Sequence, residues 1–311
     1  MLSIVIPVYN EASSLQELYA EIHWAFAYRN EPLELVFVDD GSTDRSWQML
    51  EEVSGRDSRV VLVRLRRNSG KSVAYAAGFR EARGEIIATL DADLQDDPAE
   101  LPKLLDALAH GHGVVVGWKW QRQDPSVKVW SSRLFNMVLR WVSGVHLHDQ
   151  NSGIRVLRRE VATALPLRGD LYRMIPALAA MAGYRVSEVP VQHRARRYGE
   201  SKYGRTGLRR TFRGLFDLMT VAFLTRFRTR PFHFFGSIGV VLVMIGAVIS
   251  AYLTAIWFSG QSIGGRPLLT LGVLLLVLGV QFFSTGFLAD LVVSGREQSD
   301  ALPIAEIRRS P

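Results

Sequence analysis

Two aspartates that could hold a metal ion follow a short apolar run in the first third of the chain. Residues 86–90 are apolar or β-branched, and Asp91 and Asp93 come directly after them. This pattern predicts a buried strand with carboxylates at its carboxyl end, and Pro98 suits the first turn of a following helix. In regular strand geometry the two aspartates would share a face. Paired oxygen ligands suit Mg²⁺ or Mn²⁺ on a diphosphate, and the alternative is a solvated acidic loop that caps a helix.

Polar residues also follow the other predicted strands. Apolar runs predict strands at 2–9, 33–38, 60–65, 85–90, 114–117 and 185–191, with helical patterns between most of them. This alternation indicates an α/β fold with a doubly wound, mostly parallel sheet, in which ligands bind beyond the carboxyl ends of the strands. The polar groups at these ends are Asn10, Glu11, Asp39, Asp40, the segment 68–71, Asp91 and Asp93. Their concentration favours a ligand site over loops that are simply polar.

The chemistry of these strand ends suits a nucleotide. Asp39 and Asp40 can accept hydrogen bonds from a base or a ribose, and the turn at Gly70 and Lys71 can approach phosphates. The chain contains neither Gly-x-Gly-x-x-Gly after its first strand nor Gly-x-x-x-x-Gly-Lys-Ser/Thr. These absences argue against a dinucleotide-binding dehydrogenase and against a P-loop NTPase.

Composition narrows the range of partners. The chain has 311 residues, no cysteine and a formal net charge of +7. Without cysteine there is no disulfide, thiolate metal site or cysteine nucleophile. The positive charge suggests anionic partners such as phosphates or an acidic membrane surface. The first residues lack a basic region and a cleavage site, so we expect no signal peptide.

Two long apolar segments predict a membrane hairpin. Residues 232–258 contain no Asp, Glu, Lys or Arg, and residues 267–293 contain only Asp290. Each exceeds the roughly 20 residues that cross a bilayer. Arginines flank the outer ends and only Arg266 lies between the segments, which places both ends in the cytoplasm. We therefore predict a cytoplasmic domain at 1–204, a juxtamembrane interfacial helix at 205–230, a hairpin at 231–295 and a cytoplasmic tail at 296–311, disordered after Gln298.

Basic segments lie near the predicted hairpin. Residues 128–141 have Trp130, Leu134, Val138 and Trp141 on one face and serine and arginine at other positions. This pattern suits a helix at the membrane surface or an ordinary amphipathic core helix. The segment 193–204 carries Arg194, Arg196, Arg197 and Lys202, dense enough to clamp a diphosphate, although positive flanking charge is the alternative. Lipid headgroups explain this clustering better than nucleic acid, so we expect no nucleic-acid partner.

Several motifs occur in the order that one enzyme family shows. They are Ile6-Pro-Val-Tyr-Asn-Glu11, Val38-Asp-Asp-Gly-Ser-Thr-Asp44, Asn68-Ser-Gly-Lys71, Asp91-Ala-Asp-Leu-Gln-Asp96, Asp149 with Gly153-Ile-Arg155, and Arg196-Arg-Tyr-Gly-Glu-Ser-Lys-Tyr203. In them the chain resembles the inverting family 2 glycosyltransferases with a GT-A fold. More narrowly, it is similar to dolichol-phosphate mannose synthases, bacterial polyprenyl-phosphate glucosyltransferases and undecaprenyl-phosphate aminoarabinose transferases. The resemblance covers nearly the whole chain, including the two apolar segments.

The resemblance implies roles for individual residues. The residues implied to bind the nucleotide sugar are Pro7, Tyr9, Glu11, Asp39, Asp40, Gly70, Lys71, Asp91, Ala92, Asp93, Arg196 and Lys202. Asp91, Asp93 and Gln95 would hold Mg²⁺ or Mn²⁺. The phosphate of the lipid acceptor would bind Arg122, Lys128, Ser132 and Arg133. Asp149 occupies the position usually offered as the general base, so the implied catalytic residues are Asp149, Asp93 and Arg196.

The implied reaction transfers one sugar from a nucleotide-diphosphate sugar to polyprenyl phosphate at the inner cell membrane, with inversion. Gln95-Asp96 replaces the Ser-His of many members that use GDP-mannose, which leans towards a UDP-sugar. A processive polysaccharide synthase is one alternative, but Met137-Val-Leu-Arg-Trp141 lacks the Gln of its Gln-x-x-Arg-Trp motif. The other is a non-catalytic scaffold that binds nucleotide sugars. A homo-oligomer is left open.

Overall fold

The computed structural model describes residues 1–27, 29, 31–120, 147–167, 169, 171–194, 231–294 and 304–309. Within these ranges one sheet contains eight strands, in the order β7-β5-β6-β4-β1-β2-β3-β8. The strands are β1 (Leu2–Val8), β2 (Leu33–Asp39), β3 (Val60–Leu65), β4 (Ile86–Thr89), β5 (Val114–Lys119), β6 (Arg155–Arg158), β7 (Val186–Val191) and β8 (Ile304–Arg309). The helices are α1 (Ala12–Phe26), α2 (Ser46–Ser54), α3 (Lys71–Glu81), α4 (Leu101–Ala109), α5 (Arg159–Ala164), α6 (Ile175–Met181), α7 (Pro231–Phe258) and α8 (Pro267–Ser294).

The centre of the sheet is parallel because its strands are covered on both faces. In β1, Val5 lies between Val36 of β2 and Thr89 of β4. These strands are nearly continuous apolar runs, as expected of parallel strands without a solvated face. One face packs against α1, α2 and α4, and the other packs against α3, α5 and α6. The predicted α/β fold with a mostly parallel sheet is confirmed.

Two strands depart from the prediction. The four residues of β6 insert between β4 and β5 and pair antiparallel with both. Strand β8 pairs antiparallel with β3, with Val63 opposite Ile307. Arg308 of β8 also pairs with Glu51 of α2, and Arg309 pairs with Glu81 at the end of α3. The expectation of a disordered tail is therefore wrong for residues 304–309, which belong to the sheet.

Residues 222–300 form a second compact unit whose described part is mainly α7 and α8. Both helices are long and apolar enough to cross a membrane, as predicted. They pack closely because glycines face each other: a Cβ on Gly239 would lie 2.8 Å from the carbonyl oxygen of Gly279, and one on Gly246 would lie 2.9 Å from that of Gly272. Small residues that allow such contact are typical of helix pairs in membranes. The predicted interfacial helices at 128–141 and 205–230 lie outside the described residues.

Candidate active site

Asp91 and Asp93 lie just beyond the end of the central strand β4. The strand ends at Thr89, so both aspartates belong to the turn that follows, and Leu94 in that turn has a φ of 61°. Positive φ is uncommon for a residue with a side chain and marks a tightly constrained turn. The expectation that the two aspartates share a strand face is therefore wrong. Their position at the carboxyl edge of the sheet is as predicted.

Lys71 meets Asp91 across the edge of the sheet. Its Nζ lies 2.6 Å from Asp91 Oδ1, and the hydroxyl of Tyr75 donates to the same oxygen at 3.3 Å. The ammonium group also lies over the rings of Tyr75 and Tyr172, 5.7 and 5.2 Å from their centres. Burial opposes the charged amine, but the nearby Asp91 carboxylate raises the pKa of Lys71 above its ordinary value. The pair is thus an ion pair held by an aromatic cage.

Asp39 and Asp40 are buried at the end of β2, where they hold the neighbouring loops. Asp40 accepts hydrogen bonds from the backbone of Ser69 at 2.7 Å and of Gly70 at 3.0 Å. Asp39 accepts from the backbone of Ser42 at 3.1 Å. Burial raises the pKa of both carboxyls, although these hydrogen bonds oppose the shift. Asp40 therefore fixes the Gly70–Lys71 turn.

The turn after β1 is tied to the turn after β2. Asn10 has a φ of 53°, and its Oδ1 accepts from the backbone of Thr43 at 2.8 Å. The backbone N–H of Glu11 donates to Ser46 Oγ at 2.9 Å. Pro7, Tyr9 and Glu11 are half-buried beside these contacts. The structure therefore brings the residues predicted to bind the nucleoside to one edge.

A buried carboxylate that was not among the predicted site residues adjoins the aspartate turn. Asp96 is 1% exposed, and its Oδ1 lies 3.4 Å from Lys119 Nζ at the end of β5 and 3.4 Å from His193 Nδ1 just after β7. Burial would raise the pKa of Asp96, but Lys119 and His193 outweigh burial and lower it. Lys119 in turn has a raised pKa, because the charges of Asp96, Asp149, Asp91 and Asp93 outweigh its burial.

Gly153 separates two of these carboxylates. A Cβ there would lie 2.5 Å from Asp96 Oδ2 and 2.7 Å from Asp91 Oδ2, so the two side chains are immediate neighbours across a position that only glycine fits. The carbonyl of Gly153 accepts from Thr89 Oγ1 at 2.7 Å. Asp149 lies four residues earlier, is 1% exposed and accepts from the backbone of Asn151 at 3.2 Å.

The basic segment starts directly against the aspartate turn. The backbone N–H of Arg194 donates to the carbonyl of Gln95 at 2.9 Å, and Asp96 and His193 form an antiparallel bridge. The Arg194 guanidinium binds Glu21 at 2.7 Å and also pairs with Asp97. Other predicted site residues lie outside the described residues: Arg122, Lys128, Ser132, Arg133, Arg196 and Lys202.

The donor set of the aspartate turn suits a hard divalent cation. Asp91 and Asp93 offer carboxylate oxygens, and Mg²⁺ or Mn²⁺ is commonly held by one or two carboxylates together with substrate phosphates. Within the described ranges no group of three or more acidic, histidine or cysteine side chains forms a complete metal cage. The residues present therefore fit the expected metal.

Comparison with known proteins decides the family. The family model described as glycosyl transferase family 2 matches residues 3–165, which is more than half of the chain. The chain belongs to glycosyl transferase family 2. The chain is also 36% identical to a dodecaprenyl-phosphate galacturonate synthase from Rhizobium johnstonii, over 99% of this chain and 92% of the relative. It is 36% identical to an undecaprenyl-phosphate 4-deoxy-4-formamido-L-arabinose transferase from Pseudomonas aeruginosa, over 96% of this chain and 86% of the relative.

Solved structures confirm the GT-A fold of this glycosyltransferase. A glucosyl-3-phosphoglycerate synthase from Mycobacterium tuberculosis, crystallised with Mn²⁺, UDP-glucose and phosphoglyceric acid, matches with a TM-score of 0.53 and 22% identity, over 71% of this chain and 80% of that one. A mannosyl-3-phosphoglycerate synthase from Rubrobacter xylanophilus matches with a TM-score of 0.54 and 18% identity, over 72% of this chain and 74% of that one. The resemblance to polyprenyl-phosphate sugar transferases is confirmed by the relatives from Rhizobium johnstonii and Pseudomonas aeruginosa, whose matches include α7 and α8.

Proposed function

We propose that this glycosyltransferase moves a single sugar from a nucleotide-diphosphate sugar, with UDP favoured, to polyprenyl phosphate, and that the product is a polyprenyl-monophosphate sugar of inverted configuration. One observation carries the proposal. Relatives named for polyprenyl-phosphate sugar transfer match the chain from its first strand through both apolar helices at 36% identity. The acceptor class therefore rests on the whole chain rather than on the GT-A domain alone.

The edge of the sheet suits the donor. Asp40, the Gly70–Lys71 turn and the turn after β1 surround a polar edge beside Asp91. The proposed ligands of Mg²⁺ or Mn²⁺ are Asp91, Asp93 and Gln95, and the ion when bound would neutralise the charge that builds up on the departing diphosphate. Lys71 supplies a fixed positive charge at the same place. Arg196 and Lys202, which follow Arg194 in the sequence, are proposed to add to it.

The acceptor phosphate needs positioning more than activation. In the proposed step an oxygen of the lipid phosphate attacks the anomeric carbon, the bond from that carbon to the diphosphate breaks, and the nucleoside diphosphate leaves. A phosphate monoester has a second pKa near ~6 and is largely ionised at neutral pH. We therefore assign Asp149, which is buried four residues before Gly153, to orient the acceptor at least as much as to remove a proton. Arg122, Lys128, Ser132 and Arg133 are the proposed acceptor-phosphate residues.

Membrane attachment brings the enzyme to its lipid. The two apolar helices support association with a bilayer, and the arginines that flank their outer ends favour a cytoplasmic catalytic domain in the inner cell membrane. The lipid phosphate and a water-soluble donor would meet at that face. A homo-oligomer is compatible with this arrangement but is not required by it.

A transfer assay tests the proposal. Purified protein in detergent is incubated with undecaprenyl phosphate, labelled UDP- or GDP-sugars, and Mn²⁺, Mg²⁺ or a chelator. We expect label in the organic-extractable lipid, dependent on metal and lost in Asp93→Asn. Label in a long water-soluble polymer would instead indicate a processive synthase. Nucleotide binding without transfer from any donor would indicate a non-catalytic scaffold.

A further inference from the structure

Two lysine–carboxylate pairs lie side by side at the proposed metal site. Lys71 pairs with Asp91 at 2.6 Å, and Lys119 approaches Asp96 at 3.4 Å. The two aspartates adjoin across Gly153. The Asp91 side chain is partly exposed at the edge where the donor is proposed to bind, whereas Asp96 is buried and its side chain meets Lys119 and His193 instead.

We propose that Asp96 is a positioning residue for the metal site, which holds the Lys119 ammonium away from Asp91 and Asp93. The inference rests on the proposed function, because it takes Asp91 and Asp93 as metal-binding carboxylates. Its role is separate from theirs, since Asp96 acts through a lysine and binds no metal itself. The family resemblance assigned no role to Asp96 or Lys119.

The argument is electrostatic. Lys119 Nζ lies 3.4 Å from Asp96 Oδ1, and Asp96 Oδ2 and Asp91 Oδ2 lie close to one point at Gly153, so Asp91 is a near neighbour of this ammonium group. The charges of Asp91, Asp93 and Asp149 attract it, in keeping with the raised pKa of Lys119. Lys71 already pairs with Asp91 Oδ1, so a second ammonium group on Asp91 or Asp93 would compete with a divalent cation for the carboxylate oxygens that remain. The buried charge of Asp96 opposes that movement, because an ion pair in a region of low dielectric is much stronger than one in water. His193, only 8% exposed, lies 3.4 Å from the same oxygen of Asp96.

Removing the charge of Asp96 should therefore weaken metal binding by freeing Lys119. Mn²⁺ binding is measured without turnover, from the loss of the electron paramagnetic resonance signal of free Mn²⁺ in the presence of UDP. The proteins are the full-length wild type, Asp96→Asn, Lys119→Met and the double variant. Asp57→Asn is the matched control, since it also removes the charge of a buried carboxylate. Asp57 pairs with Arg59 and precedes the aspartate turn by more than 30 residues in the sequence.

We expect Asp96→Asn to raise the Mn²⁺ dissociation constant by about tenfold or more. The reason is that a unit positive charge beside a divalent ion repels it strongly in a region of low dielectric. The double variant should return to within about twofold of the wild type, since the competing ammonium is gone. Asp57→Asn should match the wild type. If Asp96→Asn does not fold, Lys119→Met still tests the idea, because it should bind Mn²⁺ at least as tightly as the wild type.

Three results would overturn the inference. The first is that Asp96→Asn binds Mn²⁺ as tightly as the wild type. The second is that the double variant binds Mn²⁺ no more tightly than Asp96→Asn. The third is that Lys119→Met binds Mn²⁺ more weakly than the wild type. In all three the wild type still binds Mn²⁺, so the proposed metal site stands. Absence of Mn²⁺ binding by the wild type would overturn the metal site and the inference together.

Discussion

Lys71 Nζ lies 2.6 Å from Asp91 Oδ1, which joins the first residue of α3 to the turn after β4. The lysine thus places a permanent positive charge at the edge where the donor is proposed to bind. Because Asp40 holds the backbone of Gly70, the position of this lysine also depends on the end of β2. Three separate segments of the sheet domain therefore define one small polar region.

Replacing Lys71 by methionine should weaken UDP binding and transfer. A charge-assisted hydrogen bond to a partly buried partner contributes ~1.5–3 kcal/mol, so we expect a loss of about 10- to 100-fold in kcat/KM. Isothermal titration with UDP and a transfer assay measure the two effects. Lys103→Met is the matched control, because the exposed Lys103 of α4 forms an equally short pair with Glu100, the residue before that helix. Equal UDP affinity of Lys71→Met and the wild type would contradict the assigned role.

Adding one methyl group at Gly153 should impair the site. Its Cβ would lie 2.5 Å from Asp96 Oδ2 and 2.7 Å from Asp91 Oδ2, so both carboxylates must shift. A misplacement of about 1 Å in a catalytic site can cost ~100-fold in rate, and we expect Gly153→Ala to lose at least about tenfold in transfer. Gly55→Ala is the control, since a Cβ there meets only ordinary contacts of 3.5 Å or more. Normal activity of Gly153→Ala would show that the aspartates tolerate displacement.

Asp57 should contribute stability that depends on pH. It accepts hydrogen bonds from Arg59 and from Tyr19, and these outweigh burial to lower the pKa of Asp57 to about 2. The unfolded value is ~3.9, so the contribution is complete above about pH 4 and is lost as pH falls towards 2. We expect Asp57→Asn to be less stable than the wild type by about 2 kcal/mol at pH 7, with the gap narrowing below pH 4. Urea unfolding in detergent across this range measures the gap, and a constant gap would refute the assignment.

The strands that could be predicted from the sequence are those whose own residues favour a buried strand. Apolar runs located β1 to β5 and β7 because parallel strands covered on both faces need them. Strand β6 has only four residues, with arginines at both ends, and takes its conformation from β4 and β5. Strand β8 is half polar and follows the apolar helices, so its pairing with β3 has no local signal.

The site shows the same division. Asp91, Lys71 and Asp40 were predictable because each follows a recognisable strand or precedes a helix. The group of Asp96, Lys119 and His193 was not, since its members are far apart in sequence and meet only when β5 and β7 pair. The closeness of Asp91 to Asp96 also depends on Gly153, which lies between them. Gly153 comes two residues before β6, a strand that was not predicted.

The absence of cysteine makes the membrane orientation directly testable. Ser58→Cys places a thiol on the exposed surface of the sheet domain, and Ser262→Cys places one between α7 and α8. With the catalytic domain in the cytoplasm, a membrane-impermeant maleimide should label Ser262→Cys on intact cells and Ser58→Cys only in inverted vesicles. The unmodified chain gives the background. The reverse pattern would refute the proposed orientation.

Strand β8 makes the apolar hairpin an insertion in the sheet domain rather than a terminal anchor. The chain leaves the sheet after β7 and rejoins it at β8. Residues on both sides of the hairpin therefore share one aqueous compartment, and the number of membrane crossings between them must be even. The even number of crossings follows from the pairing of β8 with β3, and it does not depend on the arginines that flank the hairpin. Moving the flanking arginines to the segment between α7 and α8 should therefore invert the whole molecule in the membrane or prevent its insertion. It should not place the two ends of the hairpin on opposite sides of the membrane.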